Sequence, residues 1–137
     1  MDLDPSDDQR ELQQMIGRFS LDRFPADAVR EFARPGAFDR AAWAELAELG
    51  TFGLALPEAA GGVGLRWIDT VLVHETLGRV LTPGPLVAAT LAAGLLDGVV
   101  DGSVVPTVVE RPLHGPAIIE HLGAADVVLV VDADGIT

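Results

Sequence analysis

No cysteine occurs anywhere in the chain, which excludes disulfides, thiolate metal sites and thiol nucleophiles together. Lysine is absent as well, so all nine basic residues are arginine, and against 21 Asp and Glu they leave a formal charge of −12. With no basic cluster to displace counterions from a phosphate backbone, nucleic acid is not expected as a partner. Tyrosine is missing and aromatics make up only 5% of the residues, while 49% are hydrophobic, so the interior is expected to be built from small aliphatic side chains. The longest largely apolar run, "PLVAATLAAGLL" at 85–96, is well short of the ~20 residues that span a bilayer, and no membrane association is expected. The opening "MDLDPSDDQRE" is acidic and starts a helix, unlike a signal peptide, and the expected compartment is the cytoplasm. Serine occurs only at Ser6, Ser20 and Ser103, none of them in a G-x-S-x-G elbow.

What is present reads as helices first and strands afterwards. Ser6 and Gln9 form a capping box, and Leu12, Met15, Ile16 and Phe19 then place an apolar stripe on the first helix. A short helix over 25–33 carries Ala28, Val29 and Phe32 on one side and stops at "RPG", 34–36. Asp39 caps the next helix, Phe38 and Trp43 are placed as a hydrophobic staple, Leu46 and Leu49 continue inward, and Gly50 stands at the C′ position. The segment "TFGLALPEAAGGVG" has too many glycines for a regular element and reads as a loop. Helices over 66–81, which holds Trp67, and over 85–96 follow, and then the period changes. "SVVPTVVE" at 103–110 and "DVVLVVDADG" at 126–135 are β-branched runs bounded by turn residues, which predicts strands. The fold class is therefore mostly α: a helical domain over 1–100 joined to a short, partial β segment over 101–137.

Candidate chemistry is sparse. Gly61-Gly62-Val63-Gly64 lacks the G-x-G-x-x-G spacing, and no Lys-Ser or Lys-Thr follows, so phosphate binding stands beside a conformational reading: positive φ or close backbone approach. His74 and Glu75 are adjacent on a helix, point about 100° apart and cannot serve each other as acid and base. Glu75 falls in the sector of Ile68, Val71 and Leu72, four residues before Arg79. It is either half of an intrahelical ion pair or a partly buried carboxylate at a pocket wall. His74 reads as a hydrogen-bonded interior or interface histidine. His114 and His121 lack companions at ligand spacing, so no metal site is expected.

The succession "FDRAAWAELAELGTFGLALPEAAGGVGLRWIDTVLVHETLGRVL", residues 38–81, resembles the N-terminal helical domain of acyl-CoA dehydrogenases. The matching features are Trp-x-x-Leu-x-x-x-Gly from Trp43 to Gly50, Gly53-Leu54, the P-E-x-x-G-G-x-G loop from Pro57 to Gly64, and Glu75 with Gly78. The similarity extends more weakly over 6–100, and "GAADVVLVVDADG" at 123–135 is similar to a strand of the family's middle β domain. The resemblance implies α,β-dehydrogenation of an acyl-CoA thioester with FAD as hydride acceptor, and an oligomer, either of one kind or with other acyl-CoA dehydrogenase subunits. It further implies that Leu86, Val87, Thr90 and Leu91 wall the acyl-chain cavity with Glu75 near its far end, and that Val109 and Glu110 lie toward the flavin.

The chain also departs from the family pattern. Where members carry T-E-P followed by G-S-D, it has "VVERPLHG" at 108–115, with only Glu110 and Gly115 in register, and the W-I-T/S segment beside the flavin is missing. The C-terminal helical bundle, which in the family supplies the base and much of the FAD site, would lie beyond Thr137. The expectation is a piece of a longer dehydrogenase that carries no catalytic residue of its own, with a non-catalytic helical partner subunit as the alternative. The turn "DADGI" leads toward a strand that is not expected to form, which would leave "VVLVV" as an open edge.

Overall fold

Local sequence chemistry sets each helix end. Ser6 accepts the Gln9 amide at 3.3 Å while Gln9 Oε1 accepts the Ser6 amide at 2.8 Å, which starts α1 (Asp7–Arg23) with the expected capping box. Short α2 (Ala26–Phe32) follows, and α3 (Arg40–Glu48) begins where Asp39 Oδ1 accepts the amides of Ala41 and Ala42 at 2.9 and 3.0 Å. Gly50, at φ +76°, ends α3, with the Thr51 amide reaching back to Leu46 O and the Gly50 amide to Ala47 O. After a loop containing one 3-10 turn (Glu58–Ala60) come α4 (Trp67–Arg79) and α5 (Leu86–Ala92). Strands β1 (Pro106–Glu110), β2 (Val127–Asp132) and β3 (Gly135–Ile136) complete the fold, with β1 parallel and β3 antiparallel to the central β2. The computed structural model describes residues 4–32, 34, 36–110, 115–133 and 135–137.

The fold class is the expected one, helical with a small sheet, but several elements are shorter than their sequence patterns. The helix expected over 85–96 stops at Ala92: Ala93 leaves the helix at ψ 129° and Gly94 turns at φ +84°. The strand expected from 103 begins at Pro106, because Ser103 is held in a turn by Asp101 and the Val104 amide bonds Gly98 O. The run over 126–135 divides at a turn into β2 and β3. The open edge expected at "VVLVV" is thus partly covered, since Val131 and Asp132 pair with Ile136 and Gly135, and Val130 exchanges both backbone bonds with Thr137. Met15, expected on the apolar stripe of α1, is 46% exposed, whereas Ile16 is fully buried. The α2 expectation at Ala33, the "RPG" stop at Pro35, His114 and the turn position Asp134 fall outside the described residues.

One apolar core runs through the helical and strand segments. Trp43 stacks on Phe52 with ring centroids 4.3 Å apart and meets Phe38 at 5.6 Å, the expected staple contact. Around them pack Ile16 of α1, Leu46 of α3, Val73 and Leu77 of α4, Ala89 and Ala92 of α5, then Val99, Val105 and Leu129. Fully burying a side chain of this size contributes about 1.5–3 kcal/mol, so the shared core outweighs any surface pair in holding the sheet against the helices. Two polar clasps set the register. Asp69, 6% exposed, accepts from Gln9 Nε2, the Arg66 amide and Arg66 Nε, tying α1 to the start of α4. Arg40 grips Asp126 in bidentate fashion at 2.7 and 2.9 Å, and Asp126 Oδ2 also accepts the Val105 amide at 2.9 Å, fixing where β1 starts relative to α3.

The glycine-rich loop is a backbone device. A Cβ on Gly62 would sit 2.2 Å from Leu56 O and 2.3 Å from Leu56 Cβ, while Gly61 has φ +80° with open space around it. The Gly64 amide bonds Leu56 O at 2.7 Å, the Leu65 amide Leu54 O at 2.8 Å and the Val63 amide Gly53 O at 3.0 Å, closing the corner on itself. Gly62→Ala is expected to cost about 3 kcal/mol or more by overpacking and Gly61→Ala about 1 kcal/mol by backbone strain, an order that chemical denaturation measures.

The Asp126 carboxyl is held below the ordinary aspartate range, chiefly by the hydrogen bond from Arg40 and then by the Val105 amide. A carboxylate whose folded pKa is depressed stabilises the fold above its unfolded pKa, and that contribution disappears as pH falls through the lower folded value. Asp126→Asn should therefore cost about 1 kcal/mol near neutral pH. Denaturation midpoints measured down the acid limb should fall less steeply for the variant than for the parent chain.

Candidate functional site

The C-terminal half of α4 and the exposed side of α5 face β1 across an open groove of about 460 Å³. Its walls are His74 and Gly78 from α4, Gly84 and Pro85 from the connection, Leu86, Val87, Ala88 and Leu91 from α5, Thr107 and Val108 from β1, and Glu120 with His121 from the crossover to β2. The groove exists because α5 is amphipathic over two turns. Ala89 and Ala92 are fully buried against the core, so Val87 and Leu91 must project outward, where they are 61% and 55% exposed. Gly84, whose Cβ would lie 2.8 Å from Trp43 Cζ3, lets the chain pass directly over the Trp43 ring into α5. On the sheet side, Thr107 Oγ1 donates to Glu120 O at 2.8 Å, which pins the crossover beside β1.

Of the residues singled out by sequence, Leu86, Val87 and Leu91 do line this groove. Thr90 stands just behind its wall: its hydroxyl lies 3.1 Å from Leu86 O and 3.2 Å from His74 Nε2. His74 is the interhelical, hydrogen-bonded residue its position suggested, with Nδ1 3.0 Å from Thr70 O. Glu75 is a correction. The buried face of α4 is Asp69, Thr70, Val73, Thr76 and Leu77, so the sector of Ile68, Val71 and Glu75 points outward, away from the groove. There Glu75 Oε1 accepts from Arg79 at 2.7 Å, half-exposed, which is the intrahelical pair and not a pocket carboxylate. Val109 and Glu110 end β1 beyond the groove residues, the first half-buried and the second exposed.

Sequence reasoning missed Thr107, Val108, Glu120 and the groove position of His121. No local signal marks them, because Thr107 and Val108 meet α5 only where β1 packs against it, and Glu120 and His121 only through the crossover from β1 to β2. Chemically the groove is an apolar trough with a few polar groups. Among the described residues no three His, Asp or Glu side chains gather to hold a metal ion. Nor is any helix there long and apolar enough to cross a membrane.

Cations are committed elsewhere. Of the nine arginines Arg111 lies outside the described residues, and of the other eight, seven are paired with carboxylates while Arg18 bonds Gln14. None of these arginines lines the groove.

Comparison with known proteins agrees with this architecture. Residues 6–99 match the family model "Acyl-CoA dehydrogenase, N-terminal domain". Over 80 residues the chain is 44% identical to the benzylmalonyl-CoA dehydrogenase of Aromatoleum aromaticum, a match covering 58% of this chain and 21% of that protein. Over 90 residues it is 32% identical to the acyl-CoA dehydrogenase IpdE2 of Mycobacterium tuberculosis, covering 64% of this chain and 28% of that one. The chain thus spans about a quarter of the length of these relatives. Among solved structures, a variant of the Tcur3481-Tcur3483 steroid ACAD superimposes with a TM-score of 0.67 at 28% identity, covering 94% of this chain and 46% of that one. The FAD complex of PigA reaches 0.73 at 20% identity, over 95% and 44% of the two chains, a likeness of fold. A match over most of the helical segment, together with the groove-forming arrangement of α4, α5 and β1, places the chain in the acyl-CoA dehydrogenase family, as its N-terminal helical domain with the first part of the β region.

Proposed function

We propose that the chain supplies one wall of the acyl cavity in a flavin-dependent acyl-CoA dehydrogenase, with residues 1–100 as the pocket-wall domain and 101–137 as the start of the β domain. The observation that carries this is the groove itself: Val87 and Leu91 face solvent from α5, whose inner side is buried alanine, and partly buried Leu86 and Val108 continue the apolar wall. An acyl chain laid there buries apolar area at about 25 cal/mol per Å², which is the natural use of so exposed a trough. Glu75, on the outer face, is left out of this wall.

In this reading the α-proton leaves to a base carried by another part of the enzyme, as the family resemblance implies. FAD, when bound, supplies the hydride acceptor. The described residues suit its ring more than its diphosphate. Val109 and Glu110 close an edge strand whose backbone groups on the side away from β2 can hydrogen-bond a flat heterocycle, whereas the eight described arginines are engaged elsewhere. This chain's contribution is then to orient the acyl chain and exclude water from it, and FAD is held chiefly by other segments or subunits. Assembly with further acyl-CoA dehydrogenase subunits follows, and one structural neighbour is itself described as the ChsE4-ChsE5 complex from Mycobacterium tuberculosis.

A second reading, a non-catalytic partner subunit, is favoured by one feature: the only carboxylate on the groove is Glu120, among the described residues. Visible absorbance separates the two. The full-length product, purified free of any partner that carries its own flavin, should show oxidised flavin that bleaches when acyl-CoA is added without oxygen; a folded but colourless product would establish the partner role. Val87→Trp, at an exposed position, should change stability by no more than about 0.5 kcal/mol. It should nonetheless weaken acyl-CoA binding roughly ten-fold, read by titration calorimetry.

A further inference from the structure

Glycine stands in α4 at a place where the helix has no use for it. Every glycine of the chain except Gly78 and Gly123 either holds a left-handed φ or has a neighbour within 4 Å of where a Cβ would sit. Gly123 lies in the crossover and off the groove, whereas Gly78 lies inside α4 and on the groove wall. Glycine is the poorest helix former after proline, so this position forgoes stability that alanine would supply without a clash. The helix end does not require it either. The left-handed residue that closes α4 is Leu81, at φ +56°, with the Leu81 amide bonding Gly78 O and the Thr82 amide bonding Leu77 O, both at 3.1 Å. Leucine thus occupies the position that favours glycine, and glycine a position that does not. His74 and Gly78 are four residues apart and share the face of α4 that borders the groove. A side chain at 78 would project there beside His74, into open space. Its omission widens the groove where α4 borders it.

We infer that Gly78 is a specificity-determining residue: by omitting a side chain it admits an acyl group that carries a ring or a branch where it crosses α4. This rests on the reading of the groove as the acyl site and deepens it by naming the shape of the substrate. A ring fills the extra width and buries further apolar surface. A straight alkyl chain cannot fill it, and the gap left beside such a chain forfeits dispersion contacts. The helix stability given up at Gly78 is then the cost of a wider acyl site.

The test measures binding and stability together in the complete enzyme. Calorimetry gives dissociation constants for octanoyl-CoA and for cyclohexylacetyl-CoA, cyclohexylpropanoyl-CoA and cyclohexylbutanoyl-CoA, on the parent protein, Gly78→Ala, Gly78→Leu and Gly123→Ala. At least one cyclohexyl ligand should bind the parent as tightly as octanoyl-CoA or more tightly. Gly78→Leu should weaken that ligand roughly ten-fold and change octanoyl-CoA by less than about two-fold. Gly123→Ala, which alters the other glycine without a structural duty, should change neither. Thermal denaturation gives the second readout: the midpoint should rise in Gly78→Ala, because helix propensity improves and nothing is struck. A lower midpoint in Gly78→Ala would show that the glycine serves the fold and would overturn the inference. So would a parent that binds every cyclohexyl ligand ten-fold more weakly than octanoyl-CoA, or a Gly78→Leu variant that loses both kinds of ligand equally or neither. An equal loss of the cyclohexyl ligand in Gly123→Ala would also overturn it, since the effect would not belong to the groove. Failure of every acyl-CoA to bind the parent would instead bring down the reading of the groove itself, and this inference with it.

Discussion

The close approach of Gly62 to the backbone of Leu56 is the constraint on which the rest of the arrangement depends. It folds the chain between α3 and α4 into a corner tight enough for the Gly64 and Leu65 amides to bond Leu56 O and Leu54 O. Leu56 in turn fills the space beside Gly94, where a Cβ would lie 2.9 Å from Leu56 Cδ2. The corner thereby also touches the turn that ends α5. Were it to open, α4 and the end of α5 would lose their common reference and the groove its geometry. Gly62 serves packing, because a Cβ there would strike the Leu56 carbonyl, which is backbone and cannot move aside.

Above this corner the molecule is layered economically. Alanines on the inner side of α5 let it lie close to the core, and that closeness leaves larger aliphatic side chains on the outer side facing solvent. An apolar surface maintained in this way has a free-energy cost in the isolated chain and returns it when covered. Charge is handled separately: Arg40 with Asp126 and Arg66 with Asp69 act at the rims of the core, setting register between segments. Exposed pairs such as Arg79 with Glu75 contribute a few tenths of a kcal/mol at most.

Helix ends, the staple and the glycine corner are legible in the sequence because their causes are local: a capping box, an Asp N-cap, a Gly C′ and a Pro-to-Gly loop each act within a few residues. Family resemblance adds the expectation of an acyl wall on α5, and three of the four residues it names stand on the groove. What cannot be read locally comes from long-range pairing. Glu75 is ambiguous in sequence because both faces of α4 carry aliphatic residues, and only the packing of α1 against α4 decides which is inside. Thr107 and Val108 reach α5 by the packing of β1 on that helix, and Glu120 by the parallel crossover that follows, neither of which a short window reveals. The pattern over 85–96 overstates the helix because Gly94 does not interrupt the apolar run, although its positive φ makes it a stop.

The most direct test is the structure of the complete enzyme with a non-reactive acyl-CoA thioether bound. The account predicts the acyl chain lying between Leu86, Val87 and Leu91 on one side and Val108 on the other, with the Gly61–Gly64 loop remote from the phosphates. An acyl chain elsewhere, or a CoA phosphate held by that loop, would contradict it.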